Sequence, residues 1–203
     1  MSNLYLKKGI TGQKKAVKGI QQRLIAWGFD LGRWGADGIW GKMTDDAVYA
    51  FQRGMGLKPD KIVGDKTFSA LKNEPIKIEH FPKEGFMCHC QGRYCNGYYS
   101  KGTDIAILFL LERIRKEAGD KPITITSGYR CPTWNRKNGG ALLSQHLYGR
   151  AADIIIEGMS RNDTDALCDR MNPYGGVGMG GEHITHVDVR GKRARWRYGK
   201  GDA

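Results

Sequence analysis

Ser144-Gln145-His146-Leu147-Tyr148-Gly149-Arg150-Ala151-Ala152-Asp153 is the stretch around which the chain is organised. After Gly149 it runs into Ala-Ala-Asp-Ile-Ile-Ile, a β-rich segment. A second such run follows later, Thr185-His186-Val187-Asp188-Val189-Arg190. His146, Asp153 and His186 together offer two imidazoles and a carboxylate, a donor set that suits Zn2+ and leaves a fourth position for water. Asp153 and His186 are expected to project from neighbouring strands, with His146 on the approach to the first. A His and an Asp seven residues apart often occur by chance. Two features add weight here. Gly149 permits a turn between them, and Asp153 is an acid within an apolar strand, where carboxylates are rare unless paired or metal-bound.

The pattern Ser-x-His-x-x-Gly-x-Ala-x-Asp over Ser144 to Asp153, with the late His-x-Asp strand, resembles the VanY-like zinc D-Ala-D-Ala carboxypeptidases. These belong to a wider group of peptidoglycan peptidases that includes lysostaphin and the hedgehog zinc fold. Thr126-Ser127-Gly128-Tyr129-Arg130-Cys131-Pro132, Asn135 and Gly139-Gly140 also match. The likeness covers roughly residues 80 to 198. It implies an α+β zinc peptidase domain with a central antiparallel sheet, one catalytic Zn2+, and His146, Asp153 and His186 as its ligands. It also implies a general base just before the last ligand: His183 is favoured, with Glu182 as the fallback. Arg130 lies in the family's Ser-Gly-Tyr-Arg motif and is expected to bind a substrate carboxylate or polarise a carbonyl; a structural ion pair is the alternative. Ser144 is expected to orient His146 or touch substrate. Asp188, two residues beyond His186 on the same face of a strand, can hold that histidine in one tautomer.

Working outward, Gln13 to Trp27 reads as an amphipathic helix, with Val17, Ile20, Leu24 and Trp27 on one face. An internal echo follows. Asp37-Gly38-Ile39-Trp40-Gly41-Lys42-Met43-Thr44 is mirrored by Asp60-Lys61-Ile62-Val63-Gly64-Asp65-Lys66-Thr67, and each copy feeds a short helix. The result is a compact three-helix unit of about 65 residues, near the lower limit for independent folding. Its pattern over residues 14 to 72 resembles the type 1 peptidoglycan-binding domain. Lys61 departs from the glycine usual there, which can alter the second turn. Trp34 and Trp40 lie near polar turns and are candidates to stack on sugar or stem peptide. The expected organisation is a wall-binding domain at 1–73, a stiff polar linker at 74–83 and a zinc peptidase domain at 84–203.

The chain has 203 residues, 40% of them hydrophobic, and a formal net charge of +12. No run approaches the ~20 apolar residues of a membrane helix. A basic balance of this size seeks an anionic partner: nucleic acid, a membrane surface or a carboxylate- and phosphate-rich wall. The tail Arg190-Gly191-Lys192-Arg193-Ala194-Arg195-Trp196-Arg197-Tyr198 mixes cations with aromatics, as single-strand binders do. The plainer reading, a closing strand with solvated arginines that continues the His186 strand, is preferred. Partners are therefore expected to be peptidoglycan alone, with no nucleic acid, no membrane insertion and a monomeric chain. The first residues lack the apolar core of a signal peptide, so synthesis in a cytoplasm and holin-type release to the wall are expected.

Five cysteines cannot all pair within the chain. Cys88, Cys90 and Cys95, with His89 among them, sit close enough for a second, structural zinc, but Cys-x-Cys with one later Cys is not the usual two-knuckle spacing. Free or partly buried thiols are preferred. The glycine-rich Tyr174 to Gly181 lacks the Lys-Ser/Thr of a phosphate loop and reads as a strand and turn letting backbone pass close to a metal.

The functional expectation is a peptidoglycan hydrolase of the endolysin type, a zinc peptidase cutting an amide bond of the stem peptide. The type expected is a D-Ala-D-Ala carboxypeptidase or an L-Ala-D-Glu endopeptidase, and the residues leave open whether the bond is L-Ala-D-Glu, D-Ala-D-Ala or a cross-link. The alternatives are a host D-Ala-D-Ala carboxypeptidase of wall maturation and, outside enzymes, a wall-binding protein with a vestigial zinc site.

Overall fold

The computed structural model describes residues 5–181 and 184–198. The chain divides into two compact units, Met1–Lys77 and Ile78–Ala203.

Among the described residues the first unit holds three helices, α1 (Lys14–Ala26), α2 (Lys42–Gly54) and α3 (Asp65–Leu71). Val17, Ile20, Leu24, Val48, Phe51 and Leu71 are buried together. Trp27 meets the edge of Phe51 with ring centroids 5.0 Å apart. The sequence echo has a physical counterpart in two buried glutamines. Gln21 Nε2 donates to Asp37 Oδ1 (2.9 Å) and the Ile39 carbonyl (3.0 Å), while Gln21 Oε1 accepts from Gly38 N (2.7 Å). Gln52 does the same one repeat later: to Asp60 Oδ1 (3.0 Å), the Ile62 carbonyl (2.9 Å) and from Lys61 N (2.9 Å). Gly38 has φ +80°, and a Cβ there would lie 2.7 Å from the Lys14 carbonyl. Lys61, its equivalent, keeps the same left-handed turn at φ 64°. Its Nζ offsets some of that strain by pairing with Asp45 Oδ2 at 2.8 Å. The turn therefore survives the substitution of glycine. The two tryptophans part company. Trp34 is 69% exposed, whereas Trp40 is only 6% exposed and donates Nε1–H to Asp45 Oδ1. The expectation that Trp40 stacks on ligand is overturned, because its ring is part of the core.

The second unit is an α+β layer. Its strands are β1 (Ile123–Ser127), β2 (Ala151–Ile156), β3 (Gly176–Met179), β4 (Thr185–Asp188) and β5 (Ala194–Arg197), in the order β1-β2-β4-β3-β5. Pairing is antiparallel from β1 through β3; the edge pair β3–β5 is parallel. The arginine-rich tail does not continue the His186 strand. The chain turns at Gly191, φ 84°, and passes beyond β3 to pair at the far edge. It does form a closing strand, and Arg193 and Arg197 are exposed, but Arg195 is tied down. Arg195 bonds Asp169, the Gly175 carbonyl (2.6 Å) and the Asn172 carbonyl (2.8 Å).

Helices α4 (Ile105–Glu117) and α6 (Arg161–Met171) supply the apolar cover, and a short helix α5 (Pro132–Lys137) follows β1. Asp104 caps α4 by accepting from Ala106 N, and Ser160 caps α6 by accepting from Asp163 N. Strand alternation then sorts the residues. Ile154, Ile156, Val177 and Val187 join Ile107, Leu110, Leu111 and Ile114 in one core, each such side chain contributing roughly 1.5–3 kcal/mol. Asp153, His186 and Asp188, out of phase by one residue, are directed to the opposite face. Phe81 belongs to the same core, and Glu112 of α4 accepts from the backbone of Glu79 and His80. The stretch expected as linker is thus anchored at its C-terminal end.

A candidate metal centre on the open face of the sheet

One cross-strand row carries the site. Ser127 faces Asp153, Asp153 faces His186, His186 faces Gly178, and Gly178 faces Trp196. His146 joins them from a single 3-10 turn, Gln145–Tyr148, ended by Gly149 in the left-handed conformation.

Three ligand atoms converge. His146 Nε2 lies 3.2 Å from Asp153 Oδ1 and 3.1 Å from His186 Nδ1, and His186 Nδ1 lies 2.8 Å from Asp153 Oδ1. All three side chains are buried. Bonds of about 2.0–2.2 Å from a tetrahedral ion require ligand atoms a little over 3 Å apart, so the triangle fits Zn2+ closely.

The second nitrogen of each imidazole is committed. His146 Nδ1 lies 2.5 Å from the Gly128 carbonyl. A carbonyl only accepts, so Nδ1 carries the proton and Nε2 presents a lone pair. His186 Nε2 lies 3.1 Å from Asp188 Oδ2. Asp188 also accepts from Gly176 N, Arg190 N and the Arg190 guanidinium. Burial opposes its ionisation, but the bonds from His186 and Arg190 prevail and hold its carboxyl well below the usual range. An ionised Asp188 keeps the proton on Nε2 and leaves His186 Nδ1 as the donor to a metal.

The electrostatics favour positive charge. Burial again opposes ionisation of Asp153, but the two histidines outweigh it and keep its carboxyl far below normal. Burial depresses the His146 pKa. At His186 burial acts the same way, yet its hydrogen bonds to Asp153 and Asp188 prevail and lift it to about 9, so a metal ion bound at Nδ1 takes the place of the proton shared with Asp153. A centre that stabilises a cation between these groups is suited to a divalent ion.

Arg130 lies beside the triangle. Its Nε donates to Ser127 Oγ (2.8 Å) and its Nη2 to Asp153 Oδ2 (2.5 Å). The ion pair foreseen as the alternative for Arg130 is therefore present, and it leaves Asp153 Oδ1 as the oxygen turned to the histidines. Ser144 lies on the cleft wall, while the group that orients His146 is the Gly128 carbonyl. Glu182 and His183 fall outside the described residues. Their neighbours are held by α6: Arg161 donates to the Gly181 carbonyl (2.9 Å) and the Thr185 hydroxyl donates to Asp165 (2.6 Å).

The triangle opens into a cleft of about 1110 Å³, walled by residues including His89, Trp134, Asn138, Trp196 and Tyr198. Trp196 packs on His186 with centroids 5.1 Å apart. It fits because Gly178 has no side chain; a Cβ there would lie 2.7 Å from the indole. Gly176 likewise makes room for Asp188. These glycines thus admit a tryptophan and a carboxylate beside the histidine, which differs from the expected role of bringing backbone near a metal. Sequence reading missed Gly128, Trp196 and Tyr198 at the site. It had placed the last two in a plain closing strand, and the only signal for Gly128 was its place in the Ser-Gly-Tyr-Arg motif.

Residues 79–188 match the family model described as Peptidase M15, and residues 13–71 match that of a peptidoglycan binding domain. The chain is similar, at 29% identity over 202 residues, to a zinc D-Ala-D-Ala carboxypeptidase of Streptomyces albus G; the match spans 94% of this chain and 77% of that protein. The chain is also similar, at 46% identity over 70 residues, to a probable N-acetylmuramoyl-L-alanine amidase of Bacillus licheniformis, covering 34% of this chain and 19% of that one. The amidase CwlL of the same organism is 47% identical over 66 residues, covering 32% and 18%.

Proposed function

The chain belongs to the peptidase M15 family, and from that premise we propose that it is a zinc-dependent peptidoglycan hydrolase cutting an amide bond of the stem peptide. The observation that carries this reading is the buried triangle of His146 Nε2, Asp153 Oδ1 and His186 Nδ1 at the floor of a wide cleft, both imidazoles held in the ligating tautomer.

When bound there, zinc supplies a water of near-neutral pKa and polarises a scissile carbonyl. The protein's own groups do the rest. Asp188 and the Gly128 carbonyl hold the two imidazoles in register. Arg130 spends Nε on Ser127 and Nη2 on Asp153, which leaves its Nη1 donors for a substrate carboxylate or carbonyl. His183, or failing it Glu182, takes the proton from the attacking water and passes it to the leaving amine. Trp134, Trp196 and Tyr198 offer aromatic surface along the cleft. The N-terminal unit keeps the enzyme on the wall, raising the local concentration of its substrate, and the net charge of +12 favours that anionic polymer.

The setting we propose is an endolysin, admitted to the wall by a holin. The joining of a wall-binding module to a hydrolase supports it, and among the described residues no helix is long and apolar enough to cross a membrane. Purified peptidoglycan incubated with the protein, with and without chelator, tests the activity. New peptide termini identified by mass spectrometry and suppressed by chelator are expected. Free D-Ala marks a carboxypeptidase, and a new D-Glu amino terminus marks an L-Ala-D-Glu endopeptidase. Retention on the wall with no new termini would leave only a binding protein.

A further inference from the structure

Cys131 follows Arg130 in the sequence, yet its side chain joins Cys88, Cys90 and Cys95, far earlier in the chain. The four sulfur atoms all lie within 4.8 Å of one another. We propose that Cys88, Cys90, Cys95 and Cys131 hold a second zinc ion as a tetrathiolate, fastening the segment around residues 86–97 to the loop that carries Gly128 and Arg130.

The geometry suits a metal better than the other uses of four cysteines. All are free thiols. A disulfide needs sulfurs about 2.05 Å apart, whereas Cys90 Sγ and Cys95 Sγ stand 3.4 Å apart. Zn–S bonds of about 2.3 Å place tetrahedral sulfurs about 3.8 Å from each other, within the range spanned here. Three of the sulfurs accept backbone N–H groups: Cys88 from Cys131 N (3.3 Å), Cys95 from Gly97 N (3.4 Å) and Cys131 from Trp134 N (3.5 Å). Hydrogen bonds of this kind stabilise thiolates over thiols.

The surroundings call for a cross-link. From Met87 to Asp104 the chain forms no helix or strand, yet Cys88 and Cys90 are buried. Their cluster contains no aliphatic side chain and is bordered by Tyr129 and Trp134, too little apolar matter to fold a long irregular segment. A structural zinc supplies that energy directly.

The ion would also serve the first centre. Tyr129 N donates to the Phe86 carbonyl (2.9 Å), Arg130 N to the His146 carbonyl (3.2 Å), and the Gly128 carbonyl holds His146 Nδ1. Cys131 caps α5 immediately after this run. Securing Cys131 to Cys88 and Cys90 therefore fixes the backbone that positions both His146 and Arg130.

Nothing in this proposal depends on the peptidase reading, and the experiment separates the two. The full chain and the double variant His146→Ala/His186→Ala are purified without chelator and their zinc measured by elemental mass spectrometry. The wild type is expected to carry two zinc ions and the double variant one. With cobalt(II) in place of zinc, the double variant is expected to show intense thiolate-to-metal charge-transfer absorption, lost on adding Cys131→Ser. In the wild type, titration with an organic mercurial is expected to release one zinc while the other stays bound. A double variant with no zinc and no charge-transfer band would overturn the proposal. So would a Cys90–Cys95 disulfide found by mass spectrometry in the freshly purified, unreduced wild type.

Discussion

Asp153 and His186 stand opposite each other on adjacent antiparallel strands, and their side chains meet with 2.8 Å between Oδ1 and Nδ1. Both belong to one cross-strand row that begins at Ser127 and ends at Trp196. Register therefore brings two of the three candidate ligands together, His146 being added from the 3-10 turn before β2, and the same alternation that buries Ile154 and Val187 turns Asp153 and His186 to the other face. A one-residue slip would send both to the hydrophobic side.

Asp188→Asn should weaken zinc binding. An amide keeps the shape of the carboxylate but can no longer fix the proton on His186 Nε2, so Nδ1 ceases to be a committed donor. A loss of about 10–100-fold in metal affinity is expected, read by chelator competition. Unchanged affinity would show that the 3.1 Å contact of Asp188 with His186 does not set the tautomer.

Arg130→Lys separates charge from geometry. An ammonium cannot reach Ser127 and Asp153 and still present donors to a substrate, as the planar guanidinium can. Zinc content should be retained while kcat/KM on muropeptides falls by about tenfold or more. A lysine variant with wild-type activity would return Arg130 to the status of a structural ion pair.

Replacement of the candidate bases should divide their roles. His183→Ala is expected to lower kcat by about 10²–10⁴-fold with zinc still bound, the usual contribution of a general base. Glu182→Gln is expected to cost much less. If the two variants exchange these phenotypes, Glu182 is the base.

Acid unfolding should report the Lys61–Asp45 pair. Burial would raise the Asp45 pKa, but Lys61 and the Trp40 indole outweigh it and hold the carboxyl below its ordinary value. A depressed carboxylate stabilises the fold above its unfolded pKa of about 3.9. That contribution is lost as pH falls through the lower, folded pKa. Lys61→Met should therefore lower the urea midpoint near neutral pH and narrow its difference from wild type in strong acid. A difference that does not change with pH would remove the ion pair from the explanation.

Much of the molecule was legible from local pattern. The periodicity of Val17, Ile20 and Leu24 marked α1, Ser160 marked the start of α6, and the echoed Asp-Gly-Ile-Trp-Gly and Asp-Lys-Ile-Val-Gly turns marked the repeat. Each of these signals lies within a turn or two of chain, where backbone sterics and capping act. The His146 to Asp153 spacing and the later His186 were readable for the same reason, since each sits on its own short element.

Other contacts between distant segments carried no such trace. Trp40 and Trp34 both read as aromatic residues near polar turns, and only packing against the body of the first unit buried one and left the other in solvent. The tail of arginines gave no hint that β5 crosses to the far edge of the sheet, or that Trp196 lands on His186 in the space left by Gly178. Cys131 looked like part of an arginine motif until the fold set it beside Cys88, Cys90 and Cys95. Sequence thus prescribed the elements and the chemical types of their side chains, because those follow from short-range forces. Which of these side chains meet was decided by the sheet order and the core beneath it, where contacts remote in the chain become neighbours only once the whole unit has packed.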